Sequence, residues 1–208
     1  MEFLCPICGD VLVQQDRSFV CSHRHSFDIA RQGYVNLLTV QQKHSLTPGD
    51  TREQVLSRRA FLEAGYYAPI AKALIAAARE FGAEGEILDI GCGEGYYSSQ
   101  LADAMQLPLT GLDISKEAVR CAAAKYKNHR WICATAAHIP VGDASCGLVT
   151  SLFALTLPGR GMSICCRCRT SIPSIPAIPG SRCCPAVLFW KRDTMPPSPM
   201  PWQRKPKP

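Results

Sequence analysis

The fold of this 208-residue chain is decided by the stretch Ile87-Leu88-Asp89-Ile90-Gly91-Cys92-Gly93-Glu94-Gly95. Its short apolar run predicts a buried β-strand, and the glycines that follow predict a tight turn into a helix. Glycines in such a turn remove the side chains that would keep a bound nucleotide away from the backbone. The stretch therefore predicts a cofactor loop at the carboxyl end of a strand in an α/β domain.

Two features of the loop favour S-adenosylmethionine over a dinucleotide. The dinucleotide pattern G-x-G-x-x-G would need a third glycine at position 96, which is Tyr96. Asp89 and Glu94 bring carboxylates that repel a pyrophosphate but attract the ammonium and sulfonium groups of the methyl donor. Asp113 ends the next predicted strand, where an acid accepts hydrogen bonds from ribose hydroxyls. The loop thus predicts these cofactor-binding residues: Asp89, Gly91, Gly93, Gly95 and Asp113.

Strand and helix signals alternate around this loop. Helical spacing runs from residue 52 to about residue 81, with a start at Asp50 or Thr51 and a break at residues 65–69. Strands are predicted at 86–90, 109–113, 130–134 and 147–150, and helices at 98–105 and 115–126, with Ser115 as an N-cap. The alternation predicts a class I, Rossmann-like α/β domain with a parallel sheet wound on both faces.

A second motif lies near the amino terminus. Cys5, Cys8, Cys21 and His25 stand at the spacing C-x2-C, twelve residues, C-x3-H, which is typical of Zn²⁺ ligands. His23 competes with His25 for the fourth position, but only one residue would then separate two ligands. Four protein ligands leave no position for water, so we expect the metal to fold a small module. Chelation is then expected to unfold the first 35 residues and to spare the loop domain.

The basic character of the chain is confined to its end. Residues 1–150 hold 14 Lys/Arg and 16 Asp/Glu, a net charge of −2, whereas residues 151–208 hold 9 Lys/Arg and one acid, a net charge of +8. The total of +6 therefore does not predict an RNA-binding surface on the folded part. Arg17, Arg24 and Arg31 of the zinc module are either contacts to RNA phosphate or a solvated face.

Residues 151–208 differ from the rest in composition. They hold 11 of the 16 prolines and 5 of the 12 cysteines, and their cysteines are not at zinc-ligand spacing. The prolines exclude a helix of three turns. The segment resembles a reading frame translated out of register, which predicts a truncated and impaired chain; the alternative is a disordered basic tail.

The start of the chain carries no secretory signal, because Glu2 and no basic region precede the apolar residues. No apolar run approaches the roughly 18 residues that cross a bilayer. Cysteine pairs at this spacing in a reducing compartment bind metal rather than form disulfides. We therefore predict a cytoplasmic protein that does not enter a membrane. The predicted segments are a zinc-binding RNA-recognition module (1–35), a connector (36–60), a partial methyltransferase domain (61–150) and the tail (151–208).

The first 150 residues resemble the bacterial 23S rRNA (guanine-N1)-methyltransferases of the RlmA type, also called RrmA. The resemblance rests on the zinc ligands, on residues 25–28, on Gly33-Tyr34-Val35-Asn36-Leu37-Leu38, on Arg58-Arg59-Ala60-Phe61-Leu62 and on residues 88–97. It implies a zinc module that recognises an rRNA hairpin, a homodimer, and transfer of a methyl group from S-adenosylmethionine to N1 of one guanine. It also implies that Tyr67, Gly95 and Tyr96 contact the cofactor.

The proton on guanine N1 must leave during methyl transfer, and the sequence does not identify the base that takes it. No catalytic residue is therefore assigned. Two alternatives to the RlmA-type activity remain at this stage. One is a class I methyltransferase for another RNA or a small molecule, and the other is a zinc-dependent RNA-binding protein without catalysis.

Overall fold

The computed structural model describes residues 1–43, 45, 48–142 and 145–153, together with the backbone of residues 168–171 and 187–192. The rest of the predicted tail lies outside the described residues, so the prediction of a disordered or out-of-register segment stays a prediction.

The amino-terminal module is a four-stranded antiparallel sheet. Its strands are β1 (Phe3–Leu4), β2 (Val11–Gln15), β3 (Ser18–Val20) and β4 (Ser26–Asp28), paired in chain order. The β-type alternation expected around Phe19 is confirmed by β3, which pairs with both neighbours. Only one β2 side chain, Leu12, is buried, so the module has little apolar core of its own.

The described part of the chain contains four α-helices, of which the first and the last begin where capping signals predicted and the third begins two residues before the predicted Ser98. They are α1 (Arg52–Glu63), α2 (Ala68–Glu80), α3 (Tyr96–Met105) and α4 (Lys116–Lys125), and a short 3-10 helix covers Val40–Gln42. Thr51 caps α1, since its hydroxyl accepts a hydrogen bond from Gln54 N. The Ser115 hydroxyl likewise accepts from Ala118 N at 3.2 Å and starts α4 as expected.

The large sheet contains seven strands. To the predicted strands β6 (Ile87–Ile90), β7 (Leu109–Asp113), β8 (Arg130–Cys133) and β9 (Leu148–Leu152) the structure adds β5 (Tyr34–Asn36), β10 (Cys168–Ser171) and β11 (Val187–Arg192). The order is β10-β11-β9-β6-β7-β8-β5, in which β5 to β9 are parallel and β10 and β11 are antiparallel. Because β5 pairs with β8, the predicted module boundary at residue 35 falls inside a strand of the large sheet.

The two faces of this sheet are covered differently. On one side, the helix face, Ile87, Leu109, Trp131 and Leu148 pack in one core cluster with buried residues of α2, α3 and α4. On the other side, the module face, Leu88, Leu112, Ile132 and Val149 pack with residues of the zinc module: Phe3, Cys5, Leu12 and Cys21. The expectation of a sheet wound on both faces by helices is therefore corrected: in the described part of the chain, the zinc module covers the second face together with Ile139, Val141 and Cys146 from the connection between β8 and β9.

Polar contacts fix the module against the sheet. The amino-terminal ammonium of Met1 pairs with Glu86 Oε2 at 2.5 Å, just before β6. Arg130 at the start of β8 pairs with Glu86 and donates from Nη1 to the Met1 carbonyl at 2.9 Å. Phe3 forms an isolated bridge with Val141, and Arg130 lies over the Phe3 ring. These contacts hold the first residues of the chain against the large sheet.

Candidate zinc and cofactor sites

The four predicted zinc ligands meet at one point. Their ligand atoms all lie within 4.8 Å of one another. His25 Nδ1 is 3.5 Å from Cys5 Sγ and 3.4 Å from Cys21 Sγ, and the Sγ atoms of Cys8 and Cys21 are 3.6 Å apart. A tetrahedral Zn²⁺ with Zn–S of about 2.3 Å and Zn–N of about 2.0 Å separates its ligand atoms by roughly 3.5–3.8 Å. The donor set and its spacing fit a structural zinc site.

Two backbone turns hold these ligands. In the first, Gly9 N donates to Cys5 O at 2.8 Å; in the second, Arg24 N donates to Cys21 O at 2.9 Å. Both turns contain a residue with positive φ, +82° at Gly9 and +63° at Arg24. Glycine adopts this region freely, whereas an arginine there is strained.

His23 does not join the four ligands. Its Nδ1 lies 2.9 Å from Asp10 Oδ2, and its side chain is 65% exposed. Asp10 also accepts a hydrogen bond from Ser22. His23 and Asp10 thus form a polar contact on the outside of the two turns, although both also lie within 4.8 Å of Cys8.

The glycine loop joins β6 to α3, and its glycines differ in what surrounds them. All three, Gly91, Gly93 and Gly95, have positive φ. A Cβ added to Gly93 would meet nothing within 4 Å, whereas one on Gly95 would lie 2.4 Å from Trp131 Cη2. Gly93 therefore borders open space as a cofactor loop requires, and Gly95 is needed for packing against Trp131 as well.

Asp113 connects the loop to the next element. Its Oδ2 accepts from Gly93 N and its Oδ1 from Ser115 N, both at 2.8 Å. Burial raises the pKa of Asp113 above its usual value. Because each carboxylate oxygen has a second lone pair, the group can still accept from ribose hydroxyls.

Asp89 lies deeper, at the end of β6. Its Oδ1 accepts from the Thr150 hydroxyl at 2.7 Å, which links β6 to β9. Burial raises the pKa of Asp89 to about 6. The structure thus shows a bond between neighbouring strands at this position, and the predicted contact with the cofactor stays a prediction.

Glu94 is the least satisfied group of the loop. Its side chain is only 4% exposed, and neither carboxylate oxygen has a hydrogen-bond partner in the described part of the chain. Arg59 Nε is 3.8 Å from Oε2, which is too long for a hydrogen bond. Burial raises the pKa of Glu94 to about 7. A buried carboxylate that accepts no hydrogen bond and has one distant ion-pair partner fits a positively charged ligand such as S-adenosylmethionine.

The two tyrosines expected to contact the cofactor lie in one aromatic cluster beside the loop. Tyr67 contacts Phe61 and Phe153, with ring centroids 5.1 and 6.2 Å away. Tyr96 contacts Tyr97 at 5.0 Å, and Tyr97 contacts Phe153 at 5.9 Å. Sequence reasoning gave no binding role to Phe61, Tyr97 or Phe153, because their contacts join α1, α3 and the end of β9, which are far apart in the chain.

No helix in the described part of the chain is both long and apolar enough to span a bilayer.

Comparison with known families agrees with this division of the chain. Residues 3–46 match the model of the RlmA N-terminal zinc ribbon. Residues 87–165 match the model of a methyltransferase domain. The first match includes β5, which pairs with the large sheet.

Three relatives are named for the same activity. A Micromonospora griseorubida protein provisionally named a 23S rRNA (guanine-N1)-methyltransferase is 37% identical over 72% of this chain and 57% of its own length. The Streptomyces fradiae 23S rRNA (guanine(748)-N1)-methyltransferase is 39% identical over 57% of this chain and 43% of its own length. A Bacillus subtilis protein provisionally given the same kind of name is 31% identical over 73% of this chain and 56% of its own length. The chain thus spans about half the length of these relatives.

These matches confirm the resemblance to the RlmA type and the predicted fold class. They also confirm, through the classes of the two domains, zinc and S-adenosylmethionine as the predicted cofactors. The individual cofactor residues stay predictions, which the geometry of Gly93, Glu94 and Asp113 supports.

Proposed function

We propose that this chain, an RlmA-type zinc ribbon joined to a methyltransferase domain, methylates N1 of a guanine in 23S rRNA with S-adenosylmethionine as the donor. The observation that carries the choice of donor is the buried carboxylate of Glu94, which accepts no hydrogen bond in the described part of the chain and has only the Arg59 guanidinium near it, at 3.8 Å. It lies in a loop whose neighbour Gly93 borders open space. A positively charged donor would satisfy this carboxylate, whereas a phosphate would be repelled.

The residues around the loop divide the work of holding the donor. Asp113 would accept hydrogen bonds from the ribose, and the Glu94 carboxylate would face the positively charged end. Asp89 would contact the donor from the end of β6, where the Thr150 hydroxyl orients its carboxylate. Tyr67 and Tyr96 would flank the donor from the aromatic cluster.

Bound S-adenosylmethionine supplies an electrophilic methyl group. The chain's own residues then have to align the guanine N1 with that group and exclude water. The carboxyl edge of the sheet suits this task, because the loop after β6 and the residues after β9 meet there.

We propose that the zinc ribbon contacts a hairpin of the same RNA. Arg17, Arg24 and Arg31 are all exposed, which leaves their guanidinium groups accessible to phosphate. The RlmA resemblance further supports a homodimer and a cytoplasmic location, which form part of the proposal.

The full-length zinc-loaded chain tests the proposal directly. It would be incubated with S-adenosylmethionine and unmodified 23S rRNA, and the product probed by primer extension. Methylation at N1 blocks the Watson–Crick edge of guanine, so we expect reverse transcriptase to stop at one position. Calorimetry on the same sample would measure donor binding separately.

Gly93→Ala is the matched variant, because its new Cβ would enter the space proposed for the donor without touching the protein. We expect it to fold, to bind the donor weakly and to produce no stop. Its φ of +57° strains an alanine, so Gly9→Ala, at φ of +82° in the zinc module, is the control for strain alone and should bind the donor as wild type does. A wild-type sample that binds the donor but produces no stop would refute the proposal that this chain methylates 23S rRNA, and it is the result that the predicted impairment of the chain gives. A wild-type sample that binds no donor would refute the methyltransferase activity as well.

A further inference from the structure

Four aromatic side chains lie exposed together beside the glycine loop. Phe61, Tyr66, Tyr67 and Phe153, called here the aromatic platform, are 44%, 68%, 36% and 55% exposed. Phe61 and Tyr66 stack at 5.1 Å with ring planes 21° apart, and Tyr67 and Phe153 stack at 6.2 Å with planes 16° apart. A contiguous exposed patch of large apolar side chains marks a binding surface more often than it marks ordinary surface.

The platform lies at the edge of the sheet where the methyl group would be delivered. Phe153 directly follows β9, which runs parallel to β6 and pairs with it. The carboxyl ends of neighbouring parallel strands meet at one edge, so Phe153 and the glycine loop after β6 are close. Tyr97, in the first turn of α3, connects the two through its contact with Phe153.

The backbone at Phe153 is in an unusual conformation. Its φ of +58° lies in the left-handed region, which bulky side chains rarely adopt. Such residues persist where the surroundings hold them, and they are concentrated at ligand sites. The strained backbone keeps the ring in contact with Tyr67 and Tyr97 while leaving half of it exposed.

A polar group lies within this apolar surrounding. The Tyr97 hydroxyl is buried and has no hydrogen-bond partner in the described part of the chain. Burial raises the pKa of Tyr97, so the group stays protonated and can donate. The occupant of the site should therefore be flat enough to stack and should carry an acceptor at its edge.

We propose that the aromatic platform stacks the target purine of the RNA, and that the Tyr97 hydroxyl donates to an acceptor on the edge of that base. This inference rests on the proposed function and adds the subsite for the methylated base. The Phe61 and Tyr67 rings meet edge to face at 85°, so the platform offers two stacking planes. The Tyr67–Phe153 pair is the one that Tyr97 contacts. A purine fits that plane better than an apolar helix does, because the two rings of the pair are nearly parallel and the unpaired hydroxyl calls for a polar partner. Unpaired RNA bases are commonly bound in this way, by stacking on aromatic rings together with hydrogen bonds to their edges.

A fluorescent base tests the platform without requiring catalysis. The probe is a single-stranded uridine decamer with one central 2-aminopurine, whose emission is quenched when it stacks. The probe would be titrated with the full-length zinc-loaded chain, and we expect saturable quenching.

The variants at position 153 separate the effect of the aromatic ring from the effect of the strained backbone. Phe153→Gly removes the ring and suits the positive φ, so it should not lower the melting temperature. We expect it to abolish quenching and to weaken binding of the probe roughly 10- to 100-fold, the scale of one base–aromatic stack. Phe153→Tyr should retain quenching. Leu56→Ala, at a 45% exposed position on α1 outside the platform, is the matched control and should also retain it.

The outcomes distinguish this inference from the proposed function. Equal quenching by wild type and Phe153→Gly would overturn the platform, even if donor binding and the primer-extension stop are present. If quenching depends on Phe153 but the chain binds no donor, the base site is supported and the proposed methyltransferase activity is refuted. Failure of the wild type to quench, combined with a dimer that Phe153→Gly dissociates in sedimentation, would assign the platform to a second copy of the chain and overturn the inference.

Discussion

The two faces of the large sheet reach the same degree of burial by different means. Ile87 on the helix face and Leu88 on the module face are both 0% exposed. The helix face is covered by three helices whose backbone hydrogen bonds are internal, whereas the module face is covered by short strands tied together by four ligand side chains. The comparison teaches that the zinc site supports the methyltransferase sheet as well as the module that contains it.

The positions of the ligands make this coupling direct. Cys5 and Cys21 are 2% and 5% exposed and belong to the same core cluster as Leu88 and Leu112. Four strands of two to five residues cannot bury enough apolar surface to fold alone. Loss of the metal should therefore uncover the part of this face that the module covers, while Ile139 and Val141 stay packed on the rest.

Removal of zinc is expected to have the largest effect. Apparent binding free energies of structural Zn²⁺, about 10–16 kcal/mol in small peptides, are comparable to the whole stability of a domain. Cys21→Ser or a strong chelator should therefore expose β6 and β7 as well as the module. Hydrogen exchange of the amides in Ile87–Ile90 and Leu109–Asp113 would measure this.

The control for zinc removal is Cys121→Ser, a buried cysteine on α4 that is not a ligand. It should leave exchange in both strands slow. If chelation speeds exchange only in residues 1–35, the faces are independent and the expectation drawn from the sequence alone was right.

Truncation of one residue from each face gives the next largest effect. In zinc-loaded protein, Ile87→Ala and Leu88→Ala should each cost about 2–5 kcal/mol, because both side chains are fully buried. In zinc-depleted protein, Leu88→Ala should cost less than half as much, since its partners have left, while the cost of Ile87→Ala persists. Urea unfolding of wild type and both variants, each with and without zinc, would measure the difference. Equal costs with and without zinc would show that the module face stays packed after the metal leaves.

The sequence revealed the parts of the structure that local signals encode. The zinc ligands, the glycine loop and the four central strands each have a short pattern, and the structure places them where the patterns predicted. The three-residue strand β5 was missed because its pairing with β8 spans almost one hundred positions. The covering of the module face was also invisible, since alternation shows that a face is buried without showing what buries it.

The candidate site was likewise predictable only where a short sequence pattern marks its residues. Spacing predicted Gly93 and Asp113 as cofactor residues, and the structure joins the two through a hydrogen bond, but spacing gave no sign that Gly95 is held against Trp131. Phe153 and Tyr97 could not be found, because a positive φ and an unpaired hydroxyl are properties of the folded chain.

The pH dependence of donor binding gives a smaller effect. Burial raises the pKa of Glu94 to about 7, so the carboxyl is mostly protonated at pH 6 and mostly ionised at pH 7.5. If the ionised form binds the positively charged donor, affinity should rise about eightfold between these pH values. Calorimetry on wild type and Glu94→Gln would measure it, and the variant should show no such rise.

Glu117→Gln is the control for that experiment, because it removes a carboxylate on α4 that pairs with Arg120 and takes no part in the contacts of Glu94. If the donor affinity of Glu94→Gln rises with pH as that of wild type does, Glu94 is not part of the donor site. Zinc-depleted protein should lose the rise as well, since β6 carries the loop and depends on the module face.

The smallest effect should come from relieving the strain in a zinc turn. Arg24 has φ of +63°, and Arg24→Gly should stabilise the zinc-loaded protein by about 0.5–1 kcal/mol, the strain relieved less the entropy that glycine loses. Gly9→Ala, at φ of +82° in the other turn, should destabilise it by a similar amount. Thermal unfolding followed by both module and sheet amides would show whether the two shifts appear in one transition. If they appear only in the module amides, the coupling of the two faces through the zinc site is wrong, because a change in a turn of the module would then leave the sheet unaffected.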